Sequence, residues 1–237
     1  MNRVDIRRAF LRLIQQQVRE AHSVQVDIDQ DELDQLWYEG ACELCRLARP
    51  VHLRRETTIT LEAGVTEYPF PDDFHSFLEL EQASIAGTPL TKVTKSDLDR
   101  KAEGWRDEDN ARRLPVCAYY EAGIATSGDH VGKRIFGVYP VPSGEGTLVL
   151  PYSAKPPKLS TLASDTAEYV YIPDEYQRVP GYYGAPLWLQ TAGIPTTKDP
   201  SWMIDFFSNK AQKFRRDYGE KQQQDYRQTA GIADVWL

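Results

Sequence analysis

The residues best placed for chemistry are Cys42-Glu-Leu-Cys45, two thiols one helical turn apart. A zinc site needs four ligands, and no second pair of cysteines or histidines follows; only His52 stands at a plausible distance. Two thiols on an apolar helix face need no metal, so the pair reads as core packing, and neither metal nor cofactor is expected. Gly123-Ile-Ala-Thr-Ser-Gly128 has the glycine spacing of a phosphate-binding loop, but Asp129-His130 stands where such a loop needs lysine and a hydroxyl. An acid there repels phosphate, and the segment reads as a turn. His22, His52, His75 and His130 are dispersed, with no His-Glu-x-x-His pair and no Gly-x-Ser-x-Gly elbow, so spacing offers neither a metal-activated water nor a strained nucleophile. A Ser-His-Asp site assembled only in three dimensions leaves no trace in spacing. Asp72-Asp73 and Asp107-Glu108-Asp109 have the makings of a carboxylate pair, yet both border turn residues and read as solvated loops. The chain is not expected to be an enzyme.

Aromatic residues are more telling. Thirteen tyrosines, eight phenylalanines and five tryptophans exceed what two small cores require, and tyrosine and tryptophan anchor interfaces because they cover large area at little entropic cost. Most belong to the core. The exception is the stretch Thr229-Ala-Gly-Ile-Ala-Asp-Val-Trp-Leu237, whose Val235, Trp236 and Leu237 belong to no periodic element. Such a segment is either a strap on its own domain or a plug for a partner.

The elements that must position these residues follow from periodicity. Ile6, Phe10, Ile14 and Val18 recur at helical spacing with Arg7, Arg8, Arg12 and Arg19 on other faces, predicting an amphipathic helix over 3–22. A second helix starts near Asp29 at a capping box, carries Leu33, Leu36, Trp37, Ala41, Leu44 and Ala48 on one stripe, and ends at Pro50. Alternation then predicts strands at 57–61, 77–85, 116–121, 134–139 and 147–153, parted by glycine, serine and proline turns, with a short polar helix and loop over 95–108. Lys155-Pro-Pro-Lys158 is a stiff exit. Helix returns at Ile172-Pro-Asp-Glu-Tyr176, where Pro180, Gly181, Gly184 and Pro186 should kink or split it before Gly193. A last helix carries Met203, Phe207, Ala211, Phe214 and Tyr218 on one stripe and extends to Gln228. The expected fold is α+β: terminal helices forming an α-helical bundle with an inserted antiparallel β-sandwich or barrel. The expected divisions are a helical part over 1–53, a β-rich insert over 54–158, a second helical part over 159–228 and a tail over 229–237.

Composition narrows the class. The 237 residues, 41% hydrophobic and 27% charged, suffice for ordered cores without disulfides. The first residues mix acids with arginines and form no signal peptide, and the longest uncharged run, 179–197, is too rich in proline, glycine and threonine for a membrane span. Three cysteines without an export signal suggest reduced thiols. The net charge of −7 is spread along the chain with no basic stripe, which argues against sequence-specific DNA binding.

Taken in order, several segments resemble the head-to-tail adaptor family of phages, which includes the tail tubular protein A type of connector. They are Thr58-Ile-Thr-Leu-Glu-Ala-Gly-Val-Thr-Glu-Tyr-Pro-Phe-Pro-Asp-Asp-Phe74, Gly87-Thr-Pro-Leu-Thr-Lys-Val-Thr-Lys-Ser-Asp-Leu98, Ile135-Phe-Gly-Val-Tyr-Pro-Val-Pro-Ser-Gly144, Tyr152-Ser-Ala-Lys-Pro-Pro157 and Ile172-Pro-Asp-Glu-Tyr176. The similarity runs over roughly residues 30–220. It departs from the family at Pro180-Gly181, in a helix that members keep continuous. The resemblance implies a non-catalytic virion protein, made in the host cytoplasm, that forms a dodecameric ring between the portal protein and the tail nozzle or tail tube. It also implies that genomic DNA passes through the lumen without specific binding, a passage that an acidic wall would ease. Family members reach the portal through C-terminal segments, which points to Val235, Trp236 and Leu237 as docking residues. The competing reading is a carbohydrate-binding β-domain protein of a phage tail or cell-wall complex, which explains an aromatic-rich sandwich but not the terminal helices. A hydrolase with a hidden triad is a third.

Overall fold

The computed structural model describes residues 1–21, 28–76, 84–101, 115, 117–124, 131–193 and 199–219, which fall into two compact units, 1–53 with 156–237 and 54–155. In the first unit, helix α1 (Arg3–Ala21) buries Ile6, Phe10, Ile14 and Val18, the stripe that spacing singles out. Helix α2 (Gln30–Ala48) opens at Asp29, whose side chain accepts from the Asp31 amide, and buries Leu33, Trp37, Ala41, Leu44 and Ala48. It closes at Arg49, left-handed at φ 49°, whose N–H returns to the Cys45 carbonyl before Pro50 prevents another turn.

The second half of this unit corrects two expectations. Asp174–Tyr176 is a short 3-10 turn, and helix α4 (Val179–Thr191) then runs as one element rather than splitting at its prolines and glycines. Pro180 lies in the first turn, where the missing N–H is one that the helix leaves unpaired in any case. Pro186 sits inside and costs one internal hydrogen bond, a loss that burial of the helix on neighbouring elements outweighs. The glycines admit close packing: a Cβ on Gly40 would overlap the Pro180 carbonyl, and one on Gly184 would stand 2.8 Å from the Leu36 carbonyl oxygen. Helices α2 and α4 therefore meet backbone to backbone. Helix α5 (Ser201–Tyr218) buries Met203, Phe207, Ala211 and Phe214, but ends at Tyr218 instead of continuing to Gln228. Gly219 turns extended, at φ −75° and ψ 165°, and bridges to Pro50. Residues 220–237 lie outside the described residues.

The second unit is built on β1 (Arg54–Leu61) and β9 (Gly146–Ala154), antiparallel in a register that pairs Arg54 with Ser153 and Leu61 with Gly146. The short strands β3 (Phe74–Ser76), β4 (Ser84–Ile85) and β5 (Thr88–Pro89) complete this five-stranded sheet. Ala86 and Gly87, both with positive φ, make the two-residue turn between β4 and β5. A second sheet runs β2 (Glu67–Pro69), β8 (Arg134–Tyr139), β7 (Cys117–Ile124) and β6 (Thr91–Val93), antiparallel except for the β6–β7 pair. Helix α3 (Lys95–Lys101) follows β6. Leu61, Phe74, Leu148, Leu150 and Tyr152 from the first sheet and Tyr68, Phe136 and Val138 from the second share one apolar core. No closed barrel forms among the described strands. The strand expected over 77–85 is described only at its end, in β4; 77–83 and 102–114 lie outside the described residues. The protein is thus α+β, with helices in one unit and mainly antiparallel sheets in the other.

Candidate functional site

Among the described residues, those that spacing offered for chemistry do not converge. Cys45 is buried, and burial pushes its thiol up, away from the thiolate that metals and electrophiles require. Cys42, half-buried, is instead a hydrogen-bond partner of Tyr38. His52 Nε2 donates to the Tyr171 carbonyl at 2.8 Å, while His22, His130 and most of the Gly123–Gly128 turn lie outside the described residues. Asp73 is engaged by Arg55 at 2.7 Å and by the Tyr152 hydroxyl at 2.8 Å, whereas Asp72 faces Lys133 at 3.9 Å. Asp107, Glu108, Asp109 and the docking residues Val235, Trp236 and Leu237 also lie outside the described residues. Among the described residues no group of three or more His, Cys, Asp or Glu could hold a metal ion.

What the helical unit does present is surface. Turning Ile6, Phe10 and Ile14 inward leaves Val4, Arg8, Arg12 and Gln16 exposed along α1. Between α1 and the start of α4 lies a groove of about 420 Å³, with Phe10, Leu13, Trp37 and Tyr182 in its walls and Arg8, Arg12 and Arg178 among its lining residues. Arg8 stands 3.6 Å from Asp5, but Arg12 and Arg178 form no ion pair or hydrogen bond among the described residues. Gln177 also lines the groove and is 2% exposed. Its Nε2 donates to the Tyr169 and Ile172 carbonyls at 2.6 and 2.7 Å, and its backbone carbonyl accepts the Trp37 indole N–H at 3.0 Å. Its Oε1 is buried without a partner. An unpaired buried acceptor costs about 1–3 kcal/mol.

Tyr182 continues this surface onto α5. Its ring lies 4.4 Å from Phe206 and 6.0 Å from Trp202, edge-on to the latter, and Lys210 Nζ sits 5.2 Å over the Phe206 ring. Trp202 is 39% exposed. Trp202 and Phe206 are four residues apart and lie one step off the buried stripe of α5, a placement that spacing alone would have revealed. Amphipathic rings held in a fixed cluster are suited to anchoring another protein.

Helix α2 presents the opposite charge. Asp31, Glu32, Gln35 and Glu39 are exposed on its outer side, with Gln35 donating to Glu39 at 2.8 Å. A smaller groove of about 280 Å³ is lined there by Asp31, Gln35 and Tyr38, with Lys158 Nζ 5.4 Å above the Tyr38 ring.

An ionic clamp fixes α1 against α2. Asp34, 7% exposed, accepts from Arg3 Nη2 at 2.6 Å and Nε at 2.9 Å, and from Arg7 Nε at 2.7 Å and Nη2 at 2.8 Å. Arg3 also reaches Asp165 at 2.8 Å. The Asp34 hydrogen bond, working against burial, holds the Arg7 guanidinium above its usual range. Sequence reasoning treats Arg7 as a solvated face; the signal for the clamp was an aspartate directly beside Leu33 on the α2 stripe.

The model of the SU10 adaptor protein family matches residues 1–233, and the chain belongs to that family, one of phage head–tail adaptors. No curated protein matches the sequence. The family is structural and is not known for enzymatic activity. Among the described residues no helix is long and apolar enough to cross a membrane.

Proposed function

We propose that this SU10 adaptor family member is a subunit of a dodecameric ring set between the portal and the tail of a phage particle, through which genomic DNA passes during ejection. The observation that carries the reading is the continuous basic and aromatic surface of α1, α4 and α5. A connector works by contact alone, and an exposed tryptophan braced by a tyrosine and a phenylalanine is a feature of contact surfaces. The helical parts, 1–53 and 159–228, act as the bundle that builds the ring wall, and the β-sandwich over 54–158 as an appended module. Residues 229–237 reach the portal through Val235, Trp236 and Leu237, and the tail nozzle or tube engages the other end of the ring. The net charge of −7 lets DNA slide past without specific binding.

The test is native mass of the purified chain, alone and with the portal protein of the same phage. A twelve-copy ring, free or on the portal, is expected. A monomer indifferent to portal sinks the adaptor reading. Deleting 229–237 is expected to weaken portal binding without changing the fold, and unchanged binding removes those residues from the docking role.

A further inference from the structure

The helical unit carries two surfaces of opposite sign. Helices α2 and α4 pack backbone to backbone through Gly40 and Gly184, so their solvent faces point away from each other. Around the α1–α4 groove lie Arg8, Arg12 and Arg178, with Asp5 beside Arg8, and Lys210 stands over Phe206 on α5. On the outer side of α2 lie Asp31, Glu32 and Glu39, with Lys158 as the counter-charge. A positive patch with unpaired arginines is out of character for a chain of net charge −7. It is expected where a negative surface must dock.

We propose that the partner for the α1–α4 groove is the outer face of α2 on a second copy of this chain. The proposal rests on the adaptor reading and names the contact by which the ring closes. Arg12 and Arg178 meet Glu32 and Glu39 of the neighbour, and Tyr182, Trp202 and Phe206 supply the apolar contact beside the charges. Like-with-like pairing of two basic faces would set arginines against arginines, so the two faces must be used head to tail. Head-to-tail contacts on opposite flanks of a subunit generate closed rings when the rotation permits. The charges fix partner and register, and the aromatic rings carry most of the contact area.

Two full-length variants test this, with native mass as the readout, alone and on the portal. One carries Arg12→Glu with Arg178→Glu, making both faces acidic; the other carries Glu32→Arg with Glu39→Arg, making both basic. All four side chains are exposed, so both variants are expected to keep the circular dichroism of the parent. Each alone is expected to lose the ring, whereas an equimolar mixture regains it, because acidic and basic copies alternate with every junction complementary. The neutral pair Arg12→Gln with Arg178→Gln gives a milder version, expected to assemble only at higher concentration than the parent. If either reversed variant assembles alone as the parent does, or if the folded pair stays monomeric when mixed, the assigned faces are wrong while the adaptor reading stands. If the parent itself never assembles, alone or on portal, the adaptor reading fails and takes this inference with it.

Discussion

The helical unit and the β unit dispose of their large apolar side chains in different ways. In the β unit Phe70 and Phe74 stack at 3.9 Å, Phe136 packs 4.9 Å from Phe70, and all three are buried with Tyr152 in one core. In the helical unit Trp37 and Tyr169 meet edge-on at 5.0 Å inside, while Tyr182, Trp202 and Phe206 cluster at the surface. Of the seven exposed large hydrophobic residues among those described, six belong to the helical unit and only Val131 to the β unit. A glycan-binding β-domain would present its stacked rings to solvent, whereas these are enclosed. Among the described residues, exposed apolar surface is thus concentrated on the helical unit.

Four measurements break or sharpen that contrast. The largest effect is expected from Phe136→Ala: emptying an enclosed ring site should cost about 4 kcal/mol, seen as a large drop in the denaturant midpoint. A loss below about 1 kcal/mol would show the β core to be loosely built. Next is Asp34→Ala, which leaves Arg3 and Arg7 facing each other without their carboxylate. A loss of about 3 kcal/mol is expected, and the paired change of Arg7 and Asp34 should cost less than the two single changes added together.

The third is alkaline pH. Burial raises Tyr38, Tyr169 and Tyr176 in the helical unit and Tyr68 in the β unit. Tyr152 is pushed up to about 12 by burial and by its bond to Asp73. An unfolded tyrosine loses its proton near pH 10. Above that pH the unfolded chain therefore binds fewer protons than the folded one, and stability falls as pH rises. The contribution is fully present below about pH 10 and, for Tyr152, is lost by about pH 12. Thermal midpoints should hold level from pH 8 to 10 and drop beyond; a midpoint still level at pH 11 would contradict the tyrosine burial described. The smallest change in stability is expected from Trp202→Ala, within about 0.5 kcal/mol. Its effect should appear in assembly instead, as a higher concentration needed to form the ring.

How much of this was legible depends on how local the cause is. Helices α1 and α2 and the buried stripe of α5 follow from apolar spacing, and β1, β7, β8 and β9 from alternation, because each pattern is complete within a few residues. The continuity of helix α4 is not legible, because its prolines and glycines look disruptive in isolation. Their acceptability depends on Pro180 falling in the first turn and on Gly40 and Gly184 facing another backbone, which no local window contains. The Asp34 clamp joins residues from two helices across the intervening connection. Tyr182 gains meaning only once α5 brings Trp202 and Phe206 beside it. The family resemblance was legible through the order of short segments, and none of those segments contains Arg12, Arg178 or Glu39, the residues to which the ring contact is assigned.

The close approach of α2 and α4 has a mechanical consequence. If neighbouring copies join through the outer sides of this pair, the spacing of subunits around the ring is set by the thickness of two helices in backbone contact. Sliding one helix past the other would drive Gly40 against the Pro180 carbonyl. The circumference of such a ring would then be a sum of incompressible spacers, and outward load on its wall would be borne as hoop stress across helix pairs rather than taken up by loops.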